Sequence, residues 1–438
     1  MPHPQPPFGS ARTVSHRNLS SNAAIAVVSV IFFTWGGLTS LNDVLIPHLK
    51  AVFEMNYAQT MLIQFTFFST YLVMSLPAGR VVAQLGYKPS IVIGLLVAAL
   101  GALAFYPAAK VPSYPLFLLA LFVLASGITL LQVAANPYIS LLGEPRGASS
   151  RLTLAQAVNS LGHTLSPALI GPLILSVAVL GSAAVAQLAA PQREAYRIAQ
   201  AQSVQLPYLG IAAGLLVLAS LAYLLRLPPL TEATEQADPR HHTFSEVLRH
   251  RHLRLGVIAI FLYVGAEVSI GSFLINYIAT PRIGNIDASS ATRYVSYYHG
   301  AAMLGRFAGS LLLLGIAPRR LLCLFALAAI ALLATTMSSS GALAMWSVVA
   351  IGLFNSIMFP TLFTLGIEGL GPMTAKASSL LVMAIVGGAV IPLLQGLLAD
   401  RTGVQPAFVL PLLCYAYIAW YALQGSPQTP ASGRVRAA

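Results

Sequence analysis

Hydrophobic residues run along this chain in long unbroken blocks, with no alternating or amphipathic period. Twelve such blocks recur between Ala24 and Leu423. Each is about 20 residues long, enough to cross the hydrocarbon of a bilayer as a helix. A helix is also the form in which a lipid-exposed segment pairs its own backbone groups. The spans are predicted over 24–49, 58–84, 89–109, 114–140, 152–180, 207–226, 255–280, 292–315, 320–338, 341–368, 376–399 and 405–423. The breaks carry turn or charge signals, as in Gly86-Tyr87-Lys88-Pro89, Gly143-Glu144-Pro145-Arg146 and Ala317-Pro318-Arg319-Arg320.

Composition turns this pattern into a fold class. Of 438 residues, 57% are hydrophobic and only 8% are charged, too few charges to solvate a soluble surface. With the N-terminus placed in the cytoplasm, sixteen Lys and Arg residues fall on the inner side and seven on the outer. Arg306 is left inside, or near the inner end of, a span. That asymmetry obeys the positive-inside rule with both termini cytoplasmic. The expectation is an all-α membrane protein of twelve transmembrane helices. The net charge of +12 is spread over short loops, so it reads as topology and no nucleic-acid partner is expected. Cys323 and Cys414 lie within spans and read as packing residues, with no disulfide or metal implied. No phosphate-binding loop, zinc motif or nucleophile elbow points to an enzyme.

The longest polar stretch divides the chain. Residues 1–22 are expected to form a disordered cytoplasmic N-terminus, 23–226 and 255–424 two six-helix bundles, 227–254 a cytoplasmic linker and 425–438 a cytoplasmic tail. Within the linker, TFSEVLRHRHLR reads either as a short helix on the membrane surface or as a solvated connector. The halves echo one another. Aligning Pro137 with Pro360 sets Gln132 opposite Asn355, and Pro167 and Pro392 recur in spans 5 and 11. Such repeats occur in transporters that rock two bundles around a central site.

Polar residues inside the spans supply the candidate chemistry. Asn42, Asp43, Gln64, Gln132, Asn136, Gln156, Asn159 and His163 all fall within spans of the first half. Gln156, Asn159 and His163 share one helix face, and Gln132 and Asn136 share another. These stripes point to an interior cavity, whereas single amides would more simply join helices by hydrogen bonds. Amides both donate and accept, which suits a hydroxyl-rich ligand, and Trp35, Phe67, Phe68, Tyr71 and Tyr298 are rings able to cover a sugar face. One acid in the first half and no deep cation favour a neutral polyol. Asp43 is suited to taking and releasing a proton, or to holding sodium. Glu267, mid-span in helix 7 with Tyr263 one turn before it, is either a second coupling or substrate group or a structural acceptor. His299 reads as a packing histidine.

The segments FFTWGGLTSLNDVLIPHLK, LLQVAANPYISLLG, SSRLTLAQAVNSLG, GAEVSIGSFLINY and FNSIMFPTLFTLGIEGLG together resemble the fucose–galactose–glucose:proton symporter family of the major facilitator superfamily, nearest its glucose/galactose branch. The resemblance implies proton-coupled monosaccharide uptake across a bacterial inner membrane. It matches the family's helix 1 acid to Asp43 and its helix 5 amides to Gln156 and Asn159. The helix 4 acid of the fucose branch falls on Gln132, which cannot titrate, so Gln132 is expected to bind sugar hydroxyls. The superfamily loop signature survives partly in Gly79–Lys88, with Ala83 in place of its acid, so the usual gating ion pair should be absent or replaced. Arg306 in GRFAG resembles its second-half counterpart.

The expected function is glucose- or galactose-like import by alternating access. Asp43 and Glu267 are the coupling candidates, and Asn42, Gln64, Gln132, Asn136, Gln156, Asn159, Asn355, Trp35 and Tyr298 the sugar-site candidates. A monomer surrounded by lipid is expected, with a proton, or alternatively sodium, as coupling ion and no cofactor. A drug:proton antiporter and a non-transporting sugar receptor are the competing functions.

Overall fold

The computed structural model describes residues 20–53, 57–174, 187–225, 227–228 and 242–426, with backbone only for 42–52, 57–61, 171, 288 and 289. Every regular element among the described residues is helical. The first group comprises α1 (Ser21–Phe53), α2 (Tyr57–Leu85), α3 (Tyr87–Lys110), α4 (Tyr114–Leu141), α5 (Ala148–Leu169), α6 (Ala190–Ser203) and α7 (Gln205–Leu224). The second comprises α8 (Arg251–Ala279), α9 (Ala288–Gly315), α10 (Pro318–Ser338), α11 (Gly341–Asn355), α12 (Met358–Ile367), α13 (Thr374–Met383), α14 (Gly387–Thr402) and α15 (Val409–Trp420).

Ten stretches among the described residues are long and apolar enough to cross a membrane. The other two predicted spans are the helices α5 and α9, which fall short because they carry polar residues: Gln156, Asn159 and His163 on one, His299 and Arg306 on the other. A helix that cannot face lipid all round must find polar company inside the bundle. Accordingly, α5 and α9 pack against each other across the two groups, as do α2 and α13. In span numbering these contacts are 5 with 8 and 2 with 11, exchanged by the offset of six that relates the halves.

The same relation recurs in the close contacts. A Cβ added to Gly162 of α5 would collide with the carbonyl oxygen of Phe33 in α1. One added to Gly387 of α14 would collide with the carbonyl oxygen of Phe261 in α8. Glycine at these two places lets spans 1 and 5, and spans 7 and 11, approach backbone to backbone.

Four features differ from expectation. The helix α6 lies where only an outer loop was read. It is polar and amphipathic, so hydropathy passes over it, yet it buries Gln200 and Ala201 and packs on α1 and α3. Span 10 is broken at Ser356–Ile357, ahead of Pro360. In the linker, Phe244–Val247 forms a single turn with a Thr243–Glu246 capping box and docks on α13. Lys376 sits 5.7 Å from the Phe244 ring centre and donates to the His242 carbonyl, so this turn is a folded connector. The Thr243 backbone N–H holds the Glu246 carboxyl below its ordinary pKa. Span 7 then begins at Arg251, one turn earlier than expected.

Candidate functional site

The first-half site is built on α1, α2, α4 and α5. Gln132 is buried in α4, and its Nε2 donates to the Tyr71 hydroxyl of α2 at 2.9 Å. Tyr71 in turn meets Phe67 edge-on, with ring centres 5.7 Å apart, and Phe68 lies on the same cluster. The aromatic and amide residues singled out in spans 2 and 4 therefore do meet. On α5, Asn159 donates from Nδ2 to the carbonyl oxygen of Phe32 at 2.8 Å, which fixes its amide against α1. Trp35, one turn along, packs on Phe32 with the rings tilted by 37° and their centres 4.0 Å apart. Gln156 is buried one turn from Asn159, and Gln64 is half-buried on α2. Asn136 is fully enclosed, and neither of its amide atoms has a hydrogen-bond partner among the described residues. In this state it is closed off from any ligand. Asn42 and Asp43 lie in the backbone of α1, and their side chains fall outside the described residues.

The second half uses its amide differently. Asn355 is fully buried; its Nδ2 donates to the Tyr298 hydroxyl at 2.6 Å, and its Oδ1 accepts from Tyr415 at 2.6 Å. Its backbone oxygen accepts from Tyr263 at 2.9 Å. Every polar atom named here is engaged within the protein, which makes Asn355 and Tyr298 a helix-joining cluster in this state.

A deep cation is present, against the expectation of none. Arg306 of α9 lies 3.6 Å from the Glu267 carboxylate of α8, and its Nη1 donates to Ser160 of α5 in the other group. Its side chain is 17% exposed and that of Glu267 23%, so both are largely buried. Glu267 balances Arg306, so the pair adds no net charge. Charge pattern alone hid this: Arg306 was the one cation assignable to neither face, and that was the available signal.

Two prolines place acceptors at the site. Proline lacks an N–H, so the carbonyl four residues earlier loses its helical donor. Pro360 frees the Ser356 carbonyl, which accepts from Arg306 Nε at 3.3 Å. Pro137 frees the Val133 carbonyl, which accepts from Ser378 Oγ of α13 at 2.8 Å. The repeated proline thus serves one group internally and joins the two groups elsewhere.

The hydrogen bonds between the groups gather toward the end that carries the linker. Ser149 and Thr364 hydroxyls meet at 2.6 Å, Ser150 donates to the Ser310 carbonyl at 2.7 Å, and Ser378 reaches Val133. At the same end, a Cβ on Gly79 would strike Ser379. Neutral hydroxyls make these contacts between the groups. A separate cavity of about 360 Å³ lies between α1, α5 and α7. It is lined by apolar residues such as Val30, Leu41, Ile170 and Leu218, includes none of the site amides, and suits lipid contact rather than a polar ligand.

The Major Facilitator Superfamily sequence model matches residues 27–385. A glucose/galactose transporter of Brucella abortus is 49% identical over 403 residues, covering 92% of this chain and 94% of that protein. An L-fucose-proton symporter of Escherichia coli is 36% identical, covering 93% and 96%. The solved structure of a Major Facilitator Superfamily transporter, FucP, in the outward conformation superposes with a TM-score of 0.87 at 35% identity, covering 94% of this chain and all of that one.

Proposed function

Since this chain belongs to the Major Facilitator Superfamily, we propose that it is a secondary active transporter importing a neutral hexose of the glucose or galactose type together with a proton. The observation that carries this reading is an uncharged hydroxyl-binding set, Gln132 held by Tyr71 with Gln156 and Asn159 on α5, in a chain similar over nine-tenths of its length to a glucose/galactose transporter and an L-fucose-proton symporter. Gln132, Gln156 and Asn159 hold sugar hydroxyls, with Asn42 and Gln64 at the margin. Trp35 and the Phe67–Tyr71 cluster cover the apolar sugar face. Asn136 and Asn355 act by packing while the linker end is closed, and Tyr298 supports Asn355.

Asp43 carries the coupling proton. With Gln132 at the helix 4 position, α4 offers no second carboxylate there. Glu267 tunes Arg306, and protonating it would release Arg306 for other partners. With both termini and the linker in the cytoplasm of a bacterial inner membrane, closure at the linker end is the state that receives sugar from outside. The protein works as a monomer without a cofactor.

The test is uptake of labelled glucose, galactose, fucose and mannose into proteoliposomes, with pH and sodium gradients imposed separately. Accumulation of glucose or galactose under a pH gradient alone is expected. Accumulation only under a sodium gradient would replace the proton. Sugar binding without flux would make the protein a receptor. Asp43→Asn should abolish accumulation while leaving sugar exchange, and full accumulation by that variant would remove Asp43 from the coupling.

A further inference from the structure

His163 of α5 and His299 of α9 face each other across the seam between the two helix groups, with ring centres 6.0 Å apart and planes tilted by 44°. We infer that this pair is a binding site for a zinc-class divalent cation, which bridges the two groups. Two imidazole nitrogens sharing one such ion at about 2.0–2.1 Å place their ring centres roughly 5–6 Å apart, so small ring rotations suffice. One ring nitrogen of His163 bonds to the Gly36 backbone, which orients the ring and leaves its other nitrogen for an ion. A metal-binding histidine is commonly fixed in this way by a carbonyl on its far side. The protein leaves part of His299 uncovered, which gives an ion access to the pair and room for water in its remaining positions.

The surroundings set the selectivity. Arg306 interacts electrostatically with both rings, and its charge opposes any cation. Glu267, 3.6 Å from Arg306, offsets that charge. Hard ions require several carboxylates, and the one here, Glu267, is engaged by Arg306, whereas imidazole suits zinc, nickel and copper. Thr164 and Met303, which touch beside the pair, add no charge. An ion bound to both rings binds only the arrangement that brings them together, so it shifts the population toward that arrangement.

A second pair, His250 and His252, has ring centres 5.9 Å apart, but both belong to the start of span 7. An ion there crosses no seam between the groups, which makes that pair the internal control.

The effect on uptake rests on the function proposed above; binding itself does not. Zn2+ is titrated into the purified full-length protein in lipid nanodiscs while thermal unfolding is followed, and uptake is measured in parallel in proteoliposomes. Micromolar Zn2+ should raise the unfolding temperature by several degrees and cut uptake several-fold, and EDTA should reverse both effects. His299→Ala should lose both responses, measured against its own metal-free values, and His250→Ala should keep them. His163→Ala also loses the Gly36 contact, so His299→Ala is the deciding variant. Equal stabilisation of His299→Ala and the parent, or no stabilisation of the parent, would overturn the site. A thermal shift that depends on His299 in a protein without transport would overturn only the transport reading.

Discussion

Gln132 and Asn355 stand at equivalent points of the two halves, and each donates its amide N–H to a tyrosine hydroxyl two spans earlier: Tyr71 at 2.9 Å and Tyr298 at 2.6 Å. The equivalence ends at the second amide atom. The Asn355 oxygen is taken by Tyr415, whereas no comparable phenol on the oxygen of Gln132 is seen among the described residues. One half has locked its amide; in the other, no partner of the Gln132 oxygen is seen among the described residues.

That difference separates two substitutions. Gln132→Ala should weaken sugar binding about ten-fold, the loss of one or two hydrogen bonds at roughly 1 kcal/mol each. Asn355→Ala leaves two buried tyrosine hydroxyls without partners and should lower the stability of the folded protein by about 2–4 kcal/mol. Calorimetric sugar binding and thermal unfolding of both variants check this. Unchanged affinity in Gln132→Ala would place the sugar elsewhere.

The Glu267–Arg306 pair should be more costly to break than to delete. Glu267→Gln leaves a buried cation unpaired and should destabilise by roughly 3–5 kcal/mol. Replacing both with Gln and Met should recover most of that loss. A double-mutant cycle on unfolding temperatures measures the coupling, and additive losses would show that the ion pair contributes nothing.

The hydroxyl seam makes a conformational prediction. Gly79→Val places a side chain where Ser379 now sits, so closure at the linker end should fail. Ser149→Ala should shift the same equilibrium more gently, by about 1 kcal/mol. Spin-label distances across the linker end should lengthen strongly in the first variant and partly in the second. Because neutral hydroxyls make these contacts, the closed population should change little with salt.

Pro360→Ala restores an N–H that can compete with Arg306 for the Ser356 carbonyl. Arg306 should then lose part of its anchorage, and labelling of that side chain by an arginine reagent should quicken. An unchanged labelling rate would show that Ser160 and Glu267 hold it alone.

Much of this architecture was legible in the sequence. Hydropathy located the spans because lipid forces apolar length on a helix, and the amide-to-proline spacing disclosed the repeat. What stayed hidden depends on partners. Periodicity puts Asn136 and Gln132 on one face, but it cannot say that one turn along α4 Asn136 is fully enclosed. The tyrosines that engage the Asn355 amide in this state, Tyr298 and Tyr415, come from spans 8 and 12, and its own segment gives no sign of them. Arg306 was left inside, or near the inner end of, a span with no partner in view, because Glu267 and Ser160, its companions, are distant in the chain. The amphipathic α6 escaped because its polarity resembles that of a loop.

The oxygens that Pro137 and Pro360 release are main-chain atoms, and no codon change at Val133 or Ser356 deletes them. Side chains at those two positions are free to drift over evolutionary time while the docking points persist. Homologues that keep only the prolines would retain the joints, and those that lose a proline would have to rebuild one from side chains.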